Sequence, residues 1–141
     1  MNILKGRITE IVSEDELSLV KVSSGSLTFT SIVIDSPATC SWLKNGYPVK
    51  LIFKETETII ASNQPLAISI RNRMEATILK ITTGKILCEL DLGLKADSGN
   101  SDHRTIRSII TRNACEELGL KENDEIIALV KTNEVSLSAD D

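Results

Sequence analysis

Apolar and polar residues alternate in short runs along this chain, and the order of those runs comes round twice. In the first half, residues 3–12 form an apolar-rich strand that ends at the acidic turn 13–16. Residues 17–22 and 27–34 read as two further strands around a Ser-Ser-Gly-Ser hairpin turn at 23–26. Ser36 followed by Pro37 places a capping residue before a helix-starting proline, which predicts a short helix through Leu43. After the Asn45-Gly46 turn, Val49, Leu51 and Phe53 share one face of a half-buried strand, and residues 58–61 make a short last one. Residues 62–65 are the natural linker.

The second half repeats the plan. A long strand over 68–81 meets the Thr83-Gly84 turn, and 85–92 pairs back with Ile86, Leu90 and Leu92 at even spacing. A polar, glycine-containing loop covers 93–103. A strand over 104–111 carries Ile106, Ser108 and Ile110 on one face. Asn113 and Glu116 have the spacing of a capping box, and Leu118-Gly119 ends the helix on a residue suited to positive φ. Ile126, Ala128 and Val130 alternate in the next strand, residues 134–137 close the barrel, and the tail 138–141 is expected to fray.

The residues themselves repeat as well as the pattern. Asn2-Ile-Leu-Lys-Gly-Arg-Ile-Thr-Glu-Ile11 aligns with Asn72-Arg-Met-Glu-Ala-Thr-Ile-Leu-Lys-Ile81. Leu43-Lys-Asn-Gly-Tyr-Pro-Val-Lys-Leu-Ile-Phe-Lys54 aligns with Leu120-Lys-Glu-Asn-Asp-Glu-Ile-Ile-Ala-Leu-Val-Lys131. A unit present only twice is a duplicated small domain, since a solenoid needs more copies to bury its core. Short strands with one helix between the third and fourth predict an all-β chain of two tandem OB-like Greek-key barrels, each with one short helix. The expected division is 1–65 for a divergent first domain and 66–141 for the second. Cores this small predict support from domain contact or oligomerisation.

Composition removes several function classes. The 141 residues carry a net charge of −4 with no run of Lys or Arg, which argues against nucleic-acid and anionic-membrane surfaces. At 3% aromatic content, stacking platforms for single strands are missing too. No apolar stretch is long enough to span a membrane, and no basic-then-apolar signal pattern opens the chain. Cys40, Cys88 and Cys115 have no paired metal-ligand spacing and read as buried thiols of a reducing compartment. His103 is the single histidine, so a zinc site or a Ser-His or Cys-His catalytic pair lacks material. No paired-carboxylate arrangement stands out either, because Glu116-Glu117 is explained by the helix start. An enzyme is not expected.

One set of polar residues in the second half suits an anion. On a strand, Ser69 and Arg71 project from the same face, offering a hydroxyl and a fork of N–H donors, with the Asn72 amide beside them. Thr111 and the backbone N–H groups of Ala114 and Cys115 lie at a helix start. Lys131 and Thr132 leave a strand end with an ammonium and a hydroxyl. Taken singly, each has an ordinary explanation: a solvated strand face, a helix cap, a surface lysine.

Taken together, Ser69-Ile-Arg-Asn72, the Thr111-Arg-Asn-Ala114 segment before a helix ending in Leu118-Gly-Leu120, and the strand Ala128-Leu-Val-Lys-Thr132 resemble a Mop domain of the molbindin family. The likeness covers nearly all of residues 67–137, and the first half resembles a more divergent Mop domain. The resemblance implies a tandem chain that assembles into a symmetric homo-oligomer, typically a trimer, and holds molybdate or tungstate at interfaces, without a cofactor. It implies that Ser69 and Arg71 of one domain share the anion with the Thr111, Lys131 and Thr132 positions of a facing domain. Ala114 stands where the family often has Ser, which removes one hydroxyl. In the first half the chain starts too late to supply a Ser-x-Arg before Asn2, Ile34 and Pro37 replace the Thr and Ser, and Glu55 follows Lys54. A carboxylate there repels a dianion, so the first domain is expected to lack a full site. The implied role is cytoplasmic binding, storage or homeostasis of the oxyanion. The alternative is a ligand-sensing or accessory module of a molybdate-responsive regulator or of a molybdate transporter's ATPase. Those carry a helix-turn-helix or a P-loop, which this chain does not, and its Met1 start fits a stand-alone polypeptide.

Overall fold

Burial follows the alternation closely. In the strand Leu17–Ser24 every second residue from Ser18 is buried, and in Pro48–Phe53 the same holds for Val49, Leu51 and Phe53. The computed structural model describes residues 1–62, 67–96 and 98–141. Ten strands run in chain order: β1 (Asn2–Glu14), β2 (Leu17–Ser24), β3 (Leu27–Val33), β4 (Pro48–Phe53), β5 (Ile59–Ser62), β6 (Asn72–Thr83), β7 (Leu87–Lys95), β8 (Ser101–Thr111), β9 (Glu125–Val130) and β10 (Ser136–Ala139). Among the described residues one α-helix, α1 (Arg112–Glu117), lies between β8 and β9. The chain is all-β, in two five-stranded antiparallel sheets consistent with tandem OB-like units. No helix among the described residues is long and apolar enough to cross a membrane.

The two sheets are built alike. β1 pairs with β4 through its first half and with β2 through its second, and β6 does the same with β9 and β7. Each long strand slips register at the matching place, between Ile8 and Glu10 and between Ile78 and Lys80. A bulge of this kind bends a strand and increases its twist, so that one strand can serve both sides of a small barrel. Inside, Phe29 and Phe53 meet at 6.5 Å between ring centroids in one unit, while Met74, Ile78, Leu90, Leu92 and Leu94 fill the other. Cys40, Cys88 and Cys115 are free, buried thiols.

The closing strands are exchanged. The sheet orders are β10-β4-β1-β2-β3 and β5-β9-β6-β7-β8. The segment expected to close the second barrel therefore joins the first, with Leu137 opposite Leu51. β5 in turn joins the second, with Ile60 opposite Ala128. Each closing strand is reached through a 3-10 turn, Glu55–Glu57 or Thr132–Glu134, that carries the chain across to the other sheet's open edge.

Buried side chains seal the seam between the units, again in symmetric pairs. Asn72 Oδ1 accepts from the Thr30 N–H at 2.7 Å, and its Nδ2 donates to the Thr30 carbonyl at 2.9 Å. Asn2 makes the same pair of bonds to the Arg107 backbone, both at 2.8 Å. An asparagine amide carries the donor and acceptor of a peptide group, so each Asn extends a sheet by one artificial rung. Ser31 Oγ donates to the Val135 carbonyl at 2.5 Å and Ser108 Oγ to that of Thr58 at 2.6 Å. Arg104 crosses the same seam, donating to Ser24 Oγ at 2.6 Å and to the Ser24 carbonyl at 3.0 Å. Gly25 has φ +61°, which favours glycine, and a Cβ there would come within 2.8 Å of Arg104 Nη2, displacing the guanidinium tip.

Several local expectations differ from the structure. Residues 36–43 form turns in place of a helix, with Thr39 and Cys40 both donating to the Ser36 carbonyl. One turn already brings Cys40 and Leu43 into the core, and a segment this short gains too few bonds to offset helix nucleation. The first unit thus lacks the α-helix expected of it. The 93–103 loop is also shorter, because β7 reaches Lys95 and β8 starts at Ser101. β6 begins at Asn72, leaving 68–71 outside the strand. The proposed linker at 62–65 lies mostly outside the described residues, as does the 65/66 boundary.

Candidate oxyanion-binding site

The last rung between β6 and β9 pairs Asn72 with Val130. Arg71 and Lys131 are the next residues on the two strands, so both cations leave the sheet at one corner. Lys131 is extended, with φ −67° and ψ 149°, and Thr132 opens the 3-10 turn that follows. Ser69, Arg71 and Lys131 are exposed and Thr132 is half-buried. The corner exists because Asn72 is fixed from behind by Thr30. The structure therefore gives Asn72 a different part from the one expected of it: fully buried, its amide clips two sheets together.

The approach to the corner also departs from the strand geometry expected for Ser69 and Arg71. Ser69 sits in a bend, so period-two alternation does not orient the pair. The loop instead folds onto its own carbonyls. Arg71 Nη2 and Arg73 Nη2 both donate to the Ile68 carbonyl, the latter at 3.2 Å, and Arg73 Nε donates to Ile70 O at 3.3 Å. Among the described residues neither Arg71 nor Lys131 makes an ion pair, so two exposed positive charges leave one corner of the sheet without a carboxylate bound to either.

Thr111 and Ala114 lie elsewhere on the same unit. They line a groove of about 460 Å³ with Thr56, Thr58, Ile59 and Leu118, and none of Ser69, Arg71, Lys131 or Thr132 takes part in it. Thr111 is the true cap of α1, two residues before the Asn113 expected to fill that place. Its Oγ1 accepts from the Ala114 N–H at 3.0 Å. That N–H is therefore already engaged, and Thr111 keeps its hydroxyl proton as the donor it can offer. Glu116 does not reach back as a capping box requires; it accepts from Arg112 Nε at 2.9 Å.

The first unit holds a counterpart of the corner with different chemistry. Asn2 pairs with Phe53 as Asn72 does with Val130, and Lys54 has the extended geometry of Lys131, with φ −79° and ψ 149°. Glu55 occupies the place of Thr132. It accepts from the Met1 ammonium at 3.0 Å and lines a pocket of about 440 Å³ with Asn2, Asp91 and Arg107. Its own backbone N–H, then the Met1 ammonium and the Arg107 charge, hold the Glu55 carboxyl below the usual carboxylate range. Arg107 donates from Nε to Asp91 at 2.8 Å and has Glu89 at 3.5 Å, which raises its own affinity for a proton. Sequence reasoning missed Arg107 and Asp91. The one available signal was the duplicated Asn, which locates both corners.

The TOBE domain profile matches residues 68–137. Molybdenum-pterin-binding proteins 1 and 2 of Clostridium pasteurianum are each 34% identical over 74 residues, which is 52% of this chain and 100% of theirs. MopA, a molybdenum-pterin-binding protein of Rhodobacter capsulatus, is 31% identical over 69 residues, and the match spans only 24% of its length. Among solved structures, the cytoplasmic molybdate-binding protein ModG, crystallised with molybdate bound, superposes with a TM-score of 0.84 at 25% identity. That superposition covers 98% of this chain and 95% of ModG, so both units and their exchange lie within the likeness. With a complete Mop sequence matched inside it and the TOBE pattern spanning its second unit, the chain belongs to the Mop/molbindin family.

Proposed function

We propose that this protein binds molybdate, or the equally shaped tungstate, at the corner formed by Ser69, Arg71, Lys131 and Thr132. Thr111 of a facing barrel in a homo-oligomer, a trimer by family likeness, completes the site, with Ala114 contributing no donor of its own. The role that follows is storage or buffering of the oxyanion in the cytoplasm, by sequence units 1–65 and 66–141 of which the second carries the binding groups. The observation that carries this reading is the pair of unmatched cations, Arg71 and Lys131, placed together by the last rung of a sheet. Molybdate is a tetrahedral dianion with four acceptor oxygens and no proton to donate near neutral pH. It needs N–H, O–H and ammonium groups around it, and no inward-facing acceptors. Each hydrogen bond to such a charge contributes about 1.5–3 kcal/mol, so several together exceed the cost of ordering the ligand. Phosphate, partly protonated near neutral pH, is disfavoured wherever the bound anion meets donors alone.

Titration calorimetry on the purified chain tests this. Molybdate is expected to bind saturably and to compete with tungstate on similar terms, while sulfate, which is smaller, competes weakly. Equal heats for all three anions, or none for molybdate, would remove the reading.

A further inference from the structure

We propose that the first unit contains a second oxyanion pocket held shut by one of the protein's own carboxylates, that of Glu55. The inference rests on the function proposed above. Repeat geometry identifies the pocket: Asn2–Phe53 and Asn72–Val130 are equivalent last rungs, and Lys54 and Lys131 precede equivalent 3-10 turns. Lys54, exposed like Lys131, leaves its strand beside that pocket without lining it. Arg107 adds a guanidinium, because Asn2 clips to the Arg107 backbone where Asn72 clips to Thr30.

What differs is the sign of the charges facing inward. Glu55 stands in the place of Thr132. The bulges fix a second difference: Glu10 pairs with Lys21 after the first slip and Lys80 with Asp91 after the second. Asp91 thus replaces a lysine and lies against Arg107 at 2.8 Å. A tethered carboxylate presents two acceptor oxygens to the donors that a free oxyanion would seek. Its effective concentration at the pocket far exceeds that of a micromolar solute. A second anion entering beside it meets like charge at close range, which is the repulsive element that specificity requires. Glu55 therefore acts as a specificity-determining residue that limits how many anions each chain accepts.

Stoichiometry tests this in the full chain. Glu55→Thr installs the residue already found at the equivalent position, so folding is expected to survive, and Glu55→Gln removes the charge with little change of shape. By calorimetry or metal analysis after gel filtration, Glu55→Thr is expected to take up more molybdate ions per chain than wild type, up to about twice as many, with Glu55→Gln intermediate. An unchanged count in both variants overturns the proposal while leaving molybdate binding intact. Wild type that already fills both corners overturns it as well. No uptake by wild type or variants would remove the proposed function itself.

Discussion

Lys131→Ala is expected to weaken molybdate binding by roughly 10- to 100-fold, the loss of one charge-assisted hydrogen bond worth about 1.5–3 kcal/mol. Arg71→Ala should cost as much or more, and Arg71→Lys should recover only part, because an ammonium cannot present two parallel N–H donors to an oxyanion. Neither side chain contributes to the core, and neither joins an ion pair among the described residues. Unfolding midpoints should therefore stay near wild type while the dissociation constant rises. Thr111→Ala is a poorer probe. It removes the α1 cap along with a donor, and a lost cap by itself costs about 1 kcal/mol of stability. If Arg71→Ala and Lys131→Ala both bind molybdate as tightly as wild type, the anion sits somewhere else.

Asn72→Ala is expected to have the largest effect on stability, roughly 2–5 kcal/mol. The substitution strands the part-buried Thr30 N–H and carbonyl that the fully buried Asn72 amide satisfies. Each stranded group costs up to its full desolvation, about 1–3 kcal/mol, and the small cavity adds to that. Asn72→Asp is nearly isosteric yet should fare no better, because the oxygen replacing Nδ2 would face the Thr30 carbonyl with no proton between them. Urea unfolding reads the result as a lower midpoint at unchanged slope. A shift below about 0.5 kcal/mol would mean that water satisfies Thr30 and that the clip is dispensable.

Most of the fold could be read from alternation, because a strand with one buried face writes that face into every second residue. The exchange of closing strands could not. Alternation in β10 says that Leu137 faces a core; it does not say which sheet supplies the neighbouring backbone. That choice is made by the direction in which Thr132–Glu134 turns. The helix expected at 36–43 failed for a related reason: a capping residue and a proline mark where a helix could start, not whether enough turns follow to hold it. The site divided in the same way. Side-chain chemistry singled out Arg71, Lys131 and Thr132 as candidates, and strand ends bring Arg71 and Lys131 to one corner. Asn72 was misjudged because an amide that could hold a ligand is chemically the same as one that mimics a peptide bond. The Asn113 cap failed because α1 starts at Arg112, directly after β8, so Thr111 at the strand's end takes the N–H.

Lys131 and Thr132 begin the stretch of polypeptide that bridges from one sheet into the other. An anion gripped there fastens the hinge by which each half finishes its neighbour. By mass action, ligand that binds only the intact arrangement raises the free energy of opening for everything that depends on it. Loading a single corner should therefore protect amides in β4 and β10 as well as those in β6 and β9. Cargo would then double as a rivet, and an emptied molecule would be the one most readily cleared by proteases.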